Sequence, residues 1–229
     1  METKNNKKTI GISAVILLVV IISVIVTTVL MRNNQSQSNN NASTNNSSVS
    51  EPSNSEEISD KIVGDPATAK VVLYEHADFA CSHCGGWNTR INKLIEEYPG
   101  KIALVFYTYD LGFPNGHDAA KAATAAQIQG YFKEFKDLLF ANQAEWIYAS
   151  SRSEFEALMV SYFKQASKNK GDYAKFKDDI LHNSKIEDRL NYEMQKGIDA
   201  KINGTPTFFI DGEQVNLGKL ESVIREKVQ

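Results

Sequence analysis

The sequence predicts an α/β domain that is interrupted by a long helical segment and preceded by a membrane anchor and a linker. Three observations support this prediction. An uncharged apolar run lies near the N-terminus, β-type runs flank residues 115–200, and those residues show helical spacing of apolar side chains. With 229 residues, 42% of them hydrophobic, the chain is long enough for one domain with its own core plus these N-terminal segments.

The charge and the cysteine count exclude several classes of protein. A formal net charge of −3 is unlike the excess of Lys and Arg that binds nucleic acid through its phosphates, so we expect no nucleic-acid partner. The two cysteines, Cys81 and Cys84, are too few for a four-thiolate zinc or iron–sulfur site. Two cysteines at this spacing also cannot provide the disulfide framework of a small secreted domain.

The first 31 residues predict a single-pass membrane anchor. Residues 9–31 carry no charge, and as a helix rising about 1.5 Å per residue they would cross a hydrocarbon core of about 30 Å. Lys4, Lys7 and Lys8 place residues 1–8 in the cytoplasm and the rest of the chain outside the cell membrane. A cleaved signal peptide is the alternative, but the apolar run exceeds the usual length of about 7–15 residues, and no A-x-A-like site follows.

Residues 32–59 are predicted to be a disordered linker. They are mostly Asn, Ser, Gln and Thr, and so cannot bury enough apolar surface to offset the loss of chain entropy on folding. The folded, extracytoplasmic domain is therefore predicted to span residues 60–229.

This domain begins with a strand–helix–strand unit, which favours a parallel strand pair. Residues 70–74 are a short apolar run rich in β-branched side chains, as expected for a buried strand. Pro99-Gly100 ends the helix, and residues 102–107 form the second strand. The apolar residues at helical spacing are Trp87, Ile91, Leu94, Ile95 and Tyr98.

Helical patterns then continue from His117 to about Ala200, and we interpret their aromatic stripes as core packing rather than as a cofactor site. A strand at residues 206–210, a hairpin turn at Asp211-Gly212 and a return strand follow. The last helix has five apolar residues on one face: Leu217, Leu220, Val223, Ile224 and Val228.

The chemistry of the chain is predicted at Cys81-Ser82-His83-Cys84. With Cys81 at the N-cap of the helix, both sulfurs share one helix end and can form a disulfide. The unpaired N–H groups and the dipole at that end stabilise a thiolate, and His83 adds a donor or a positive charge. We expect the pKa of Cys81 to fall within the range of about 3.5–7.5 found at such sites, which makes the disulfide a stronger oxidant.

Three other uses of the two cysteines are alternatives to a redox pair. A purely structural disulfide would close a very small loop and stabilise the fold weakly. A zinc site would need Cys81, Cys84 and two histidines such as His76 or His117. Haem attachment requires a histidine directly after the second cysteine, where this chain has Gly85.

Three segments carry a family resemblance. Residues 71–84 lead from a strand into Cys-x-His-Cys, residues 115–126 open the Ala-rich helical segment, and residues 204–212 read Gly-Thr-Pro-Thr-Phe-Phe-Ile-Asp-Gly. In these segments, and in their order over residues 60–229, the chain resembles the DsbA-like thiol–disulfide oxidoreductases of the thioredoxin superfamily. The resemblance implies a thioredoxin fold with an α-helical domain inserted at about residues 115–200.

The resemblance also implies roles for the residues near the cysteines. Cys81 would be the exposed nucleophile, and Cys84 its buried partner. Glu75 would be a buried carboxylate that accepts a proton from Cys84, although a salt-bridged strand acid is the plain alternative. We interpret Asp78 as a loop cap.

The Thr205–Pro206 bond would be cis, with the Thr205 backbone beside the sulfurs, where it can pair with an extended substrate segment. The chain departs from the family pattern in two places. Ser82 stands where a proline is common, and Gly85-Gly86 cost about 1 kcal/mol each relative to Ala inside a helix.

The resemblance implies an enzyme that oxidises cysteines in unfolded or newly exported proteins by donating the Cys81–Cys84 disulfide. No metal and no cofactor beyond that redox-active disulfide is expected. A membrane quinone-linked enzyme would re-oxidise the pair, and the protein would act as a monomer. The alternatives are an extracytoplasmic reductase or isomerase, and a non-catalytic binding module or chaperone with the same fold.

Overall fold

The strands of the domain form one mixed sheet in the order β1-β3-β2-β4-β5. The structure is a computed structural model, which describes residues 57–229. β2 and β3 are parallel, as predicted, and the other neighbouring strands are antiparallel. The strands are β1 (Lys61–Val63), β2 (Val71–Ala77), β3 (Ile102–Thr108), β4 (Thr207–Ile210) and β5 (Glu213–Val215).

The helices lie between and after these strands. α1 follows β2, the next six helices lie between β3 and β4, and the last follows a short 3₁₀ turn at Leu217–Lys219. The predicted helical insertion is therefore present. The helices are α1 (Ser82–Glu97), α2 (Gly116–Ile128), α3 (Phe132–Ala141), α4 (Gln143–Trp146), α5 (Arg152–Ala166), α6 (Tyr173–His182), α7 (Ser184–Asp199) and α8 (Leu220–Lys227).

The burial pattern of α1 determines where the two sulfurs lie. Its buried residues are Cys84, Asn88, Ile91 and Leu94, which recur every three or four positions and so share one face. This face packs into the core, and Cys84 is 0% exposed. Cys81 precedes the first turn of the helix and remains partly exposed. The helical period thus buries one sulfur and leaves the other at the surface.

β1 was not predicted from the sequence, because it is only three residues long and begins with a lysine. Lys61 is fully buried, and its ammonium group lies 2.6 Å from the Glu193 carboxylate and 3.3 Å from the Thr108 hydroxyl. Arg189 also binds Glu193, at 2.8 Å. Because a buried charge needs a partner, these contacts explain how a lysine can occupy the interior between β1, β3 and α7.

Within residues 57–229, no helix has the length and apolar composition needed to cross a membrane. The predicted cytoplasmic N-terminus (1–8) and the predicted anchor (9–31) lie outside the residues that the structure describes. So does the predicted linker (32–59), except for its last three residues.

Candidate active site

Cys81 is the N-cap residue of α1, as predicted, with an extended backbone at φ −77° and ψ 118°. Its backbone N–H donates to the Asp78 carbonyl oxygen at 3.1 Å, which fixes the turn between β2 and the helix. Its thiol donates to the carbonyl oxygen of Thr205 at 3.5 Å. The junction of β2 and α1 therefore brings Cys81 next to the segment that leads into β4.

The surroundings of Cys81 favour its thiolate. The hydrogen bond from the Cys84 thiol is the largest cause of the pKa of Cys81 being lowered to about 5. The backbone N–H groups of Cys84 and His83 act in the same direction, while partial burial opposes them. These N–H groups are the unpaired donors at the start of a helix. His83 is exposed, and its backbone N–H is one of these donors.

Cys84 has the opposite character. Burial raises the pKa of its thiol, the hydrogen bond that it donates to Cys81 raises it further, and the negative charge of Glu75 adds to both effects. One thiol of the pair therefore ionises readily while the other retains its proton. Ser82, the first residue of α1, is exposed beside them.

Glu75 lies in β2, where it is 1% exposed and its Oε1 lacks a hydrogen-bond partner among residues 57–229. Burial raises the pKa of this carboxyl to about 7, and the positive charge of Lys136 partly opposes the rise. In the part of the chain that the structure describes, no cation lies within ion-pair distance of Glu75. Glu75 is therefore a buried carboxyl rather than a salt-bridged strand acid.

Lys136 is a buried cation near the site that sequence reasoning missed. It lies on α3, is 0% exposed, and donates to the Asn88 side chain on α1 and to Asp137 at 2.8 Å. In the sequence it is one of two lysines in an amphipathic helix, where a lysine is usually exposed to solvent. No local signal distinguishes it from the other, Lys133.

Asp78 is the loop cap that the sequence predicted. Its Oδ1 accepts the backbone N–H of Ala80 at 2.7 Å, and its Oδ2 accepts the N–H of Leu111 at 2.7 Å. Asp78 therefore connects the turn before Cys81 to the loop that follows β3.

The Thr205–Pro206 peptide bond is cis, as predicted. Pro206 is buried directly before β4, and the Thr205 carbonyl oxygen accepts the hydrogen bond from the Cys81 thiol. The buried Thr205 Oγ1 has no hydrogen-bond partner among the described residues.

The two histidines that a zinc site would need have other surroundings. His76 is buried on the opposite face of β2 from Glu75, with its ring 5.3 Å from the Tyr107 ring. His117 lies at the start of α2 and hydrogen-bonds to Asp110 at 3.1 Å and to Glu187 at 3.0 Å. Over residues 57–229, no group of three or more His, Cys, Asp or Glu side chains could hold a metal ion.

Comparison with known families identifies the fold around this site. A family model described as Thioredoxin matches residues 56–225. The chain belongs to the thioredoxin family. Within this family, it is similar to the "Probable disulfide bond formation protein D" of Bacillus cereus. The two are 31% identical over 166 residues, which cover 66% of this chain and 69% of that protein.

This thioredoxin-family chain also matches part of a longer protein, "Na(+)/H(+) antiporter NhaA 1" of Mycobacterium sp. (strain KMS). The two are 29% identical over 158 residues, or 68% of this chain and 24% of that protein. The chain thus spans about a quarter of the length of such relatives.

Two solved structures share the fold. BdbD from Bacillus subtilis (oxidised) has a TM-score of 0.58 at 16% identity, over 74% of this chain and 92% of that chain. The thiol-disulfide exchange protein α-DsbA2 from Wolbachia pipientis has a TM-score of 0.59 at 23% identity, over 72% of this chain and 85% of that chain.

Proposed function

We propose that this thioredoxin-family protein is a thiol–disulfide oxidoreductase that oxidises pairs of cysteines in exported proteins. The observation that carries the proposal is the unequal acidity of its two thiols: the pKa of Cys81 is lowered to about 5, whereas that of Cys84 is raised. Because a stable Cys81 thiolate favours the reduced pair, the disulfide gains electrons from substrate thiols. The redox-active Cys81–Cys84 disulfide serves without a further cofactor or metal.

In the first step, a substrate thiolate attacks the Cys81 sulfur of the disulfide. A bond forms between the substrate sulfur and Cys81, the Cys81–Cys84 bond breaks, and Cys84 leaves as a thiolate. Cys84 is the buried sulfur, so the attack falls on the partly exposed Cys81. Glu75 supplies a proton to Cys84 as it leaves and accepts that proton when Cys84 attacks in the reverse direction. A pKa of about 7 suits both tasks near neutral pH.

In the second step, another substrate thiolate attacks the substrate sulfur of the mixed disulfide. Cys81 then leaves as a thiolate, and its low pKa makes it a good leaving group. The substrate has lost two electrons and two protons and gained a disulfide, while the pair is now reduced. The Thr205 backbone beside Pro206 provides hydrogen-bonding groups for an extended substrate segment next to Cys81.

The proposed location and partners follow from the N-terminal sequence and from the family. The predicted anchor at residues 9–31 would hold the domain at the outer face of the cell membrane. The protein would act there as a monomer. A membrane quinone-linked enzyme would then re-oxidise the pair. If the protein is instead a reductase or isomerase, the pair will be found reduced in cells.

The test is the oxidation of a reduced, unfolded model protein by the full-length chain. We expect the oxidised wild type to form disulfides in the substrate. With Cys81→Ser/Cys84→Ser, these disulfides should form only at the uncatalysed rate. Equal rates for the two proteins would contradict the proposal and would favour a binding module or chaperone.

A further inference from the structure

Gln143 connects the helical insertion to the backbone that leads into Cys81. Its side-chain Nε2 donates to the carbonyl oxygen of Phe79 at 2.7 Å and to that of Cys81 at 2.9 Å. Gln143 is the first residue of α4 and lies 62 residues along the chain from Cys81. One amide group therefore holds the backbone on both sides of Ala80, directly before the helix that carries both sulfurs.

The helix that carries Gln143 is itself fixed within the insertion. Trp146 at the end of α4 is 0% exposed, and its Nε1 donates to the Leu139 carbonyl oxygen at 2.8 Å. Asn115 donates to the Trp146 carbonyl oxygen at 3.0 Å from the other side. Because α4 is fixed in this way, the Gln143 side chain can hold the carbonyl groups of Phe79 and Cys81 in place.

Gly85 leaves room for this side chain. A Cβ atom at Gly85 would lie 2.8 Å from Gln143 Oε1, closer than real Cβ atoms approach their neighbours. At Gly86, an added Cβ would meet no atom within 4 Å. Both glycines weaken the intrinsic stability of the helix. The packing of Gln143 explains why position 85 is nevertheless a glycine.

We propose that Gln143 is a positioning residue for the Cys81–Cys84 pair, and that position 85 is a glycine because Gln143 occupies the space a side chain would need. The inference rests on the proposed function. By fixing the Cys81 carbonyl group, Gln143 keeps the Cys81 sulfur beside the N–H groups of His83 and Cys84. Hydrogen bonds weaken steeply with poor geometry, so a loosened backbone stabilises the thiolate less.

The charged surroundings of Cys81 allow a clean test. Cys84 on α1 and Asp78 in the preceding loop are titratable groups that interact with it. The insertion contributes the neutral Gln143. A neutral replacement at this position therefore changes the positioning and leaves the charges around Cys81 as they are.

The test is a titration of the Cys81 thiol in the reduced full-length protein. In Gln143→Leu, we expect the pKa of Cys81 to rise by about one unit, a tenfold loss of thiolate stabilisation. The equilibrium constant for reducing the pair with glutathione should fall about tenfold, equivalent to about 30 mV. An unchanged Cys81 pKa in folded Gln143→Leu overturns the proposal.

A double-mutant cycle separates positioning from general destabilisation. Gly85→Ala should raise the Cys81 pKa in the wild type but add nothing in the Gln143→Ala background, and the control Gly86→Ala should change it in neither. Should Gln143→Leu fail to fold, equal Cys81 pKa values in Gly85→Ala and Gly86→Ala overturn the proposal. The titration needs no substrate, so a protein that shows this coupling without oxidising the model protein keeps the positioning role and loses the proposed function.

Discussion

Cys84→Ser is expected to form one mixed disulfide with a substrate and to react no further. In this variant, the Cys81 thiolate can still displace one sulfur of a substrate disulfide and form a mixed disulfide. No second thiol lies beside it to attack that bond and close the Cys81–Cys84 disulfide. The mixed disulfide should therefore accumulate to nearly one per chain, and catalytic oxidation should fall to the background rate.

Cys81→Ser is the matched control. The remaining Cys84 thiol is buried, and its raised pKa keeps it protonated. Since the thiolate is the attacking species, this variant should trap almost no substrate. Mass spectrometry of the intact proteins after incubation with an oxidised model peptide gives the comparison. Equal trapping by the two variants would contradict the assignment of Cys81 as the nucleophile.

Glu75→Gln is expected to make the protein more stable at alkaline pH and less active. The pKa of Glu75 is raised from 4.5 to about 7 in the folded protein, so folding favours the protonated carboxyl. The corresponding stability is fully present below pH 4.5 and is lost as the pH rises through 7. Above that, the buried carboxylate costs about 3 kcal/mol, at 1.36 kcal/mol per pKa unit.

Glutamine keeps the shape of the side chain without the ionisation. We expect Glu75→Gln to exceed the wild type by up to about 3 kcal/mol in the free energy of unfolding at pH 8, with little difference at pH 4. Urea unfolding of the reduced proteins at both pH values measures this. The titration of Cys81 is common to both proteins and cancels. The exposed Glu96→Gln serves as the control and should change the free energy of unfolding little.

The activity of Glu75→Gln should change in the opposite direction. Without a group that supplies and accepts the Cys84 proton, the step that makes or breaks the bond to Cys84 should slow about 100-fold. Stopped-flow measurement of the first step with a reduced peptide isolates this effect. Glu75→Gln could show the expected gain in stability at pH 8 and yet react at the wild-type rate. That result would show that Glu75 is buried but takes no part in the reaction.

The sequence predicted those parts of the site that lie close together along the chain. Cys81 and Cys84 share one helix turn, and the family resemblance indicated which of the two is buried. β2, α1 and β3 follow from local apolar patterns, and the family resemblance supplied Glu75 and the cis bond before Pro206.

The missed features depend on contacts between residues far apart in the sequence. Lys136 meets Asn88 across 48 residues, and Gln143 meets Phe79 across 64. Lys136 lies in an amphipathic helix, where a polar residue is usually exposed to solvent, and Gln143 begins a helix of only four residues. β1 was missed because Lys61 is buried by an ion pair with Glu193, 132 residues away. Such partners become apparent only when the helical insertion is packed against the sheet.

The most direct measurement is the absorbance of the Cys81 thiolate against pH in the reduced full-length protein, with Cys81→Ser as the blank. We expect a single transition near pH 5 that is absent from the blank. A transition near 8.5, the value of a free cysteine thiol, would show that the start of α1 does not stabilise the thiolate. The proposed oxidising role would then lose its physical basis.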